Sequence, residues 1–350
     1  MNSILSKKTF IAIFLGVTAF VCIAWHFTPK TITRAAIDVG SGSIKLTVAK
    51  VDPLNGKIHR ILYSKEHPVA FKRDIQVGGK SALSEKIQKV ALDKLNDLQK
   101  ELRVFHPTEW KGIATAASRQ ATNAPDMFKK INQDLGIDIS IISQNEEGRL
   151  GFETATAVSK IPQEKLIAVD SGSGSFQVTS LIDGQLDVIE GQLGYIPSLE
   201  ALMEIRGQKL DLQTAPATVT LQEAELLVKK MREKMPTVPA PFLQKIKDPT
   251  TKVVGIGNEN FIFAMGATGV GKKTFTKQEL WQAVTHYAGK PAQELKQFAK
   301  PDTAVLGMVL LYTIMDSIGL DQLTSHYANG SCEGLLVDGK YWGQLATASR

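Results

Sequence analysis

One six-residue pattern occurs twice in this chain, as Asp38-Val-Gly-Ser-Gly-Ser43 and as Asp170-Ser-Gly-Ser-Gly-Ser175. Each copy follows a short apolar run, Ala35–Ile37 in the first and Leu166–Val169 in the second. Each precedes a stretch with strand character, Ile44–Val51 and Phe176–Ile182. Strand, acid, Gly/Ser turn and strand together make a hairpin. Glycine lets such a turn close tightly and approach a ligand, and its successive N–H groups form a concavity that binds anions. One copy on its own is an ordinary turn. Two copies, each opening one half of the chain, predict two phosphate loops facing each other across a cleft. Gly40, Ser41, Gly42 and Ser43 form one candidate loop, and Gly172, Ser173, Gly174 and Ser175 the other. Asp38 and Asp170, at the ends of the leading strands, can reach a metal or a water beside the bound anion.

A chain of 350 residues has the length for two such units, each with its own core. Its formal charge of +6 points weakly towards nucleic acid. Residues 1–30 hold Lys7, Lys8 and Lys30 and no acid, so the remainder carries 38 basic against 35 acidic groups. With no arginine-rich stripe or basic aromatic patch either, a nucleic-acid partner is not expected. Thr9–Phe27 is uncharged and mostly apolar, just long enough to span a bilayer, and it follows Lys7-Lys8. Trp25 and Phe27 resemble an interfacial belt, so residues 1–30 are expected to form a signal or uncleaved membrane anchor. The bulk of the protein is then extracytoplasmic, held to the membrane through residues 9–27. The two cysteines, Cys22 and Cys332, fit neither a structural disulfide nor a zinc site.

Strand and helix signals alternate through both halves. Lys57–Tyr63 reads as a third strand, and Ser84 as the cap of a helix running to about Phe105. Asn145 reads as the cap of another helix, with glutamates in its first turn where the helix dipole favours them. Capping boxes stand at Thr220–Glu223 and Thr276–Glu279, and Ala304–Ile318 reads as an apolar helix. Two α/β domains are expected, over residues 31–150 and 151–350, with the cleft between them.

Gly266-Ala-Thr-Gly-Val-Gly-Lys-Lys273 approaches an ATP-binding P-loop but has Lys273 where Ser or Thr is required. It is read as a glycine-rich loop between helices. The pair Glu146-Glu147 lies at the junction of the two halves, where a carboxylate on a rigid helix can position and deprotonate a water. Arg119, just after a strand, offers the planar fork that usually pairs with phosphate oxygens.

These segments together resemble the exopolyphosphatase and guanosine pentaphosphate phosphatase (Ppx/GppA) family, within the actin-like and sugar-kinase superfamily. The resemblance runs from about Arg34 to Trp342. Ala36–Ser43 and Val169–Ser175 are similar to the two phosphate loops, Thr115–Asn123 to an Arg-containing segment, Ile142–Leu150 to the catalytic-glutamate segment, and Gly255–Asn258 to a further glycine-rich loop. The family implies two actin-like, ribonuclease H-like domains, with polyphosphate or a guanosine pentaphosphate-like substrate in the cleft. It implies Glu147 as the water-activating base, phosphate contacts from both loops and Arg119, and Mg2+ near Asp38 and Asp170. The chain departs from the family at Gly42, where Asn is usual, and at Gly172-Ser173-Gly174, where three glycines are usual. It departs again at Gln177, where a metal-holding Glu is usual. Gln177 can still offer a carbonyl oxygen to the metal, without a charge. The expectation is therefore a phosphoanhydride hydrolase. A catalytically weak binding or sensor protein is the alternative, and a homodimer is left open.

Overall fold

In the computed structural model the described residues are 31–78, 81–210 and 218–343. The expected signal or membrane helix lies outside them. The fold is built on two mixed sheets whose strand orders repeat one another. The first contains β1 (Ile32–Val39), β2 (Ser43–Asp52), β3 (Lys57–Pro68), β4 (Glu109–Ala114) and β5 (Asp138–Ile141), in the order β3-β2-β1-β4-β5. The second contains β6 (Leu166–Ser171), β7 (Phe176–Ile182), β8 (Gln185–Gly191), β9 (Lys252–Gly257), β10 (Thr274–Thr276) and β11 (Gln322–Tyr327), in the order β10-β11-β9-β6-β7-β8. In each sheet an antiparallel meander of three strands is extended on its first-strand side by two parallel strands, and β10 adds an antiparallel edge to the second sheet. The repeated turns join β1 to β2 and β6 to β7, so they occupy equivalent places.

Helices α1 (Phe71–Gly78), α2 (Glu85–Glu101), α3 (Ala116–Gln120) and α4 (Ala124–Leu135) belong to the first half. Helix α5 (Gln144–Ser159) links the halves. Helices α6 (Tyr195–Ile205), α7 (Leu221–Arg232), α8 (Ala240–Lys247), α9 (Ile262–Val270), α10 (Lys277–Tyr287) and α11 (Ala304–Ile318) follow, and α12 (Cys332–Val337) comes last. Leu150 of α5 packs with Ala36, Ile113 and Leu335, whereas Phe152 and Ala155 pack with Leu166, Val254 and Ile256. This one helix is therefore shared by both cores, and α12 carries the chain back onto the first sheet. The division expected at 150/151 falls within α5.

Two local expectations are corrected. The cap of α5 is Ser143, whose hydroxyl accepts from the Glu146 amide at 3.1 Å, and not Asn145. A serine in extended conformation one residue before the helix satisfies that orphan amide, and Asn145 already lies within the first turn. The P-loop-like segment is not a loop between helices. Gly266 and Gly269 lie inside α9, which ends at Gly271 in the left-handed conformation and is followed by β10. A Cβ on Gly266 would come within 2.8 Å of Leu311, and one on Gly269 within 2.5 Å of the Met308 sulfur. These glycines serve close packing of α9 against α11. The first two turns of helix α11 are apolar on every side because they run through the second core, with Ala304–Leu311 buried throughout.

Candidate active site

The two turns have the same closure. Gly40 N donates to the Ser43 carbonyl at 2.9 Å, and Gly172 N donates to the Ser175 carbonyl at 2.9 Å. Ser41-Gly42 and Ser173-Gly174 are thereby pushed out of the ladders as the loop tips. The tips face each other closely, since a Cβ on Gly174 would lie 3.5 Å from Ala116 Cβ and 3.9 Å from Ser41 Oγ. Both loops line one cleft, together with Asp38, Asp170 and Glu147.

Lys45 lines this cleft as well and carries no role in the sequence pattern as read above. It stands opposite Asp38 in the β1–β2 register, just as Gln177 stands opposite Asp170 in β6–β7. Each partner follows its aspartate by seven residues, so a consistent signal existed in the repeat itself. The Lys45 ammonium lies 3.3 Å from Asp38 Oδ2, with both side chains under a tenth exposed. Burial opposes that charge, but the carboxylates of Asp38, Glu66 and Asp170 outweigh it and hold the ammonium above its ordinary pKa. Asp38 Oδ2 also accepts from Ser331 N at 3.1 Å, while its buried Oδ1 has no protein partner. Gly330 makes this approach possible: at φ 66° it sits where a Cβ would lie 2.2 Å from Asp38 Oδ2.

Glu147 projects from the first turn of α5 into the cleft. Burial pushes its carboxyl up to about 7; Arg119 pulls it down, and the charges of Asp170 and Asp38 push it further up. Arg119 Nη1 donates to Glu147 Oε2 at 2.9 Å and to the Ile142 carbonyl at 3.0 Å. Arg119 thus ties Glu147 to the end of β5, just outside the residues that line the cleft. Burial likewise raises Asp170 to about 6, with Lys45 opposing and Asp38 adding to the rise. Gln177 is buried beneath the second loop, donates to Ser175 Oγ at 3.4 Å, and does not line the cleft.

The domains are also latched across the cleft. Glu66 of β3 accepts from Ser43 Oγ at 2.6 Å, and from the side-chain amides of Asn258 and Asn260, each at 3.0 Å. The Ser43 hydroxyl proton is thus already committed. Asn258 directly follows β9, which takes in Gly255–Gly257, so the segment expected as a further glycine-rich loop is strand up to Asn258, its backbone paired with β6 and β11.

Glu146, next to the candidate base, faces a different environment. It accepts from Arg149 at 2.9 Å, from Lys340 at 2.8 Å and from the Tyr341 hydroxyl at 2.7 Å. Although burial raises its pKa, these donors hold it down to about 2. Its folded pKa lies below the unfolded value, so its stabilisation is present above pH 4.5 and is lost as pH falls towards 2. Glu146→Gln is therefore expected to lower unfolding stability by about 1–3 kcal/mol at pH 7. The loss should shrink as pH falls below 4.5 and be nearly gone only at about pH 2, with little effect on turnover. Denaturant curves at several pH values, alongside activity, check this; a catalytic loss matching that of Glu147→Gln would reverse the two assignments.

Two facing hairpin loops on duplicated sheets, with an acid at the base of each, define a two-domain mixed α/β protein with a cleft lined by both loops. Residues 47–196 match the Ppx/GppA phosphatase family. A Ppx/GppA family member from Aquifex aeolicus is similar in structure at TM-score 0.67 and 21% identity, covering 90% of this chain and 100% of that one. An exopolyphosphatase from Cytophaga hutchinsonii matches at TM-score 0.66 and 15% identity, over 89% of this chain and 99% of that one. Nucleoside triphosphate hydrolases from Neospora caninum match at TM-score 0.55 and 10% identity, over 97% and 98% of the two chains. At these identities the structural likeness is one of fold. The resemblance to the Ppx/GppA phosphatase family stands in sequence and in fold, and phosphohydrolase is the general class it supports.

Proposed function

We propose that the protein releases terminal phosphate from polyphosphate or a related phosphoanhydride. One observation carries this reading: Glu147, held by Arg119, lines the same cleft as the two facing Gly/Ser loops. The loop amides bind the phosphate oxygens, and Lys45 contributes positive charge below the first loop. Glu147, held by Arg119, accepts a proton from water as the water oxygen bonds to the terminal phosphorus. The bond from phosphorus to the bridging oxygen breaks, and the shortened chain leaves with that oxygen.

Among the described residues no three His, Cys, Asp or Glu side chains gather as a metal site. Mg2+ nevertheless needs only one or two carboxylates when substrate phosphates and water complete its shell. The buried, unpartnered Oδ1 of Asp38 fits that requirement. Asp38 and Asp170 would hold the ion, which would neutralise phosphate charge.

The neutral Gln177 opposite Asp170 favours a second reading, a binding or sensor protein with weak turnover. Phosphate release from polyphosphate by the purified protein, with and without Mg2+, separates the two. Gln177→Glu adds a negative charge beside Asp170, and the variant should need roughly tenfold less Mg2+ for half-maximal release. Superimposable magnesium titrations of two folded proteins would remove Gln177 from the metal's surroundings. Absence of release under every condition would leave the sensor reading.

A further inference from the structure

The two most exposed large apolar side chains among the described residues stand at one end of the first sheet. Leu54 is 75% exposed and Val104 69%, against 53% for the next, Tyr327. Leu54 lies in the turn between β2 and β3, and Val104 in a one-turn helix, Leu102–Phe105, that leads into β4. Both connections sit where β1 begins. Ile32 pairs with Val51, just before the turn, and Thr108, just before β4, donates its amide to the Thr33 carbonyl at 2.9 Å. The cleft is at the opposite end of β1, about 25 Å away along its 8 residues.

This end of the sheet is also basic. Lys50, Lys57, Arg60 and Arg103 are exposed, and none has an ion-pair partner among the described residues. The strand acids here are already taken up: Asp52 accepts from Asn55, Glu109 from Arg34, and Asp138 from Lys111. The covalent chain indicates what covers such a face. The apolar run Thr9–Phe27, expected from its sequence to span a bilayer, stops only four residues short of Ile32. Even fully extended, the backbone from Phe27 to Ile32 reaches at most about 18 Å. A headgroup layer is itself roughly 5–8 Å deep. With that run seated in a bilayer, the start of β1 is held beside the membrane surface.

We propose that this end of the first sheet docks on an anionic lipid surface. Leu54 and Val104 enter the headgroup boundary, and the four basic side chains meet lipid phosphates. The cleft then opens away from the bilayer, towards the aqueous side. The proposal depends on the membrane reading of residues 9–27 and is independent of the hydrolase reading, since no readout below involves phosphate release.

The test uses the full-length protein in vesicles of phosphatidylcholine and phosphatidylglycerol, with acyl chains brominated near the headgroup. Leu54→Trp and Val104→Trp each add one fluorescent reporter, and Tyr327→Trp adds a control at the cleft end of β11. Interfacial apolar groups sit roughly 5–10 Å into the headgroup boundary, so emission added at 54 and 104 should be quenched at least about threefold more than at 327. Replacing phosphatidylglycerol by phosphatidylcholine should weaken the quenching at 54 and 104. Equal quenching at all three positions, or quenching indifferent to phosphatidylglycerol, would overturn the proposal. Unquenched emission at 54 and 104 in vesicle-bound protein would overturn it too, and leave those side chains to a protein partner. A full-length chain that does not float with the vesicles would overturn both the docking and the membrane reading beneath it.

Discussion

Glu147→Gln is expected to lower phosphate release by roughly 10²–10⁴-fold while phosphate ligands still bind. The substitution keeps the shape of the side chain and can still accept from Arg119 through its amide oxygen. It removes the one function that a carbonyl oxygen cannot supply, acceptance of a proton from water. The electrostatics of the site give this prediction a pH dependence. With the carboxyl at about 7, the basic form is scarce at pH 6 and dominant at pH 8, so wild-type kcat/KM should rise through that interval. The variant should show a flat profile there. Stability should move in the opposite direction. The folded pKa lies above the unfolded value of 4.5, so the group's favourable contribution is complete below 4.5 and is lost as pH rises through about 7. The amide has no such liability, and above pH 7 the variant should be more stable than wild type by up to about 3 kcal/mol. A slow variant with no gain in stability, and with the wild-type pH profile, would mean that another group takes the proton.

The repeat made the architecture legible because it encodes two things locally. Tight Gly/Ser turns need no distant partner, and apolar runs on both sides fix the hairpin strands. The meander and its parallel extension then follow for each half. The capping boxes at Thr220 and Thr276 were legible for the same reason, since donor and acceptor lie three residues apart. Less legible were features produced by long-range contact. Gly330 lies nearly 300 residues from the Asp38 it admits, and no local pattern distinguishes it from other glycines. The glycines of α9 read as a loop because their packing partners on α11 are distant in sequence. Lys45 is legible from the repeat: a charged residue in a strand between Ile44 and Leu46 signals a buried partner, and it holds the same place after Asp38 that Gln177 holds after Asp170.

Lys45→Met should be the most destabilising single change at this site. Methionine keeps the unbranched stem but removes the buried charge that faces Asp38, Glu66 and Asp170. Removing one partner of a buried ion pair usually costs about 3–5 kcal/mol, because the remaining charge is left without compensation. Here the remaining carboxylates can lessen that cost by binding protons. Asp170 already stands at about 6 with the ammonium in place, and without it the value must rise further. An acid raised in the folded state loses its stabilising contribution as pH climbs through its folded pKa, so the deficit should be largest at pH 8 and shrink towards pH 5. Glu147 titrates beside the same acids, so the pH at which activity appears should also move upward. Phosphate binding loses a cation beneath the first loop, and KM should increase tenfold or more, equivalent to about 1.4 kcal/mol or more. Unfolding curves at pH 5 and 8, together with the pH dependence of kcat/KM, test each part. A stability loss independent of pH, with KM unchanged, would confine Lys45 to a structural role and leave phosphate binding to the loop amides alone.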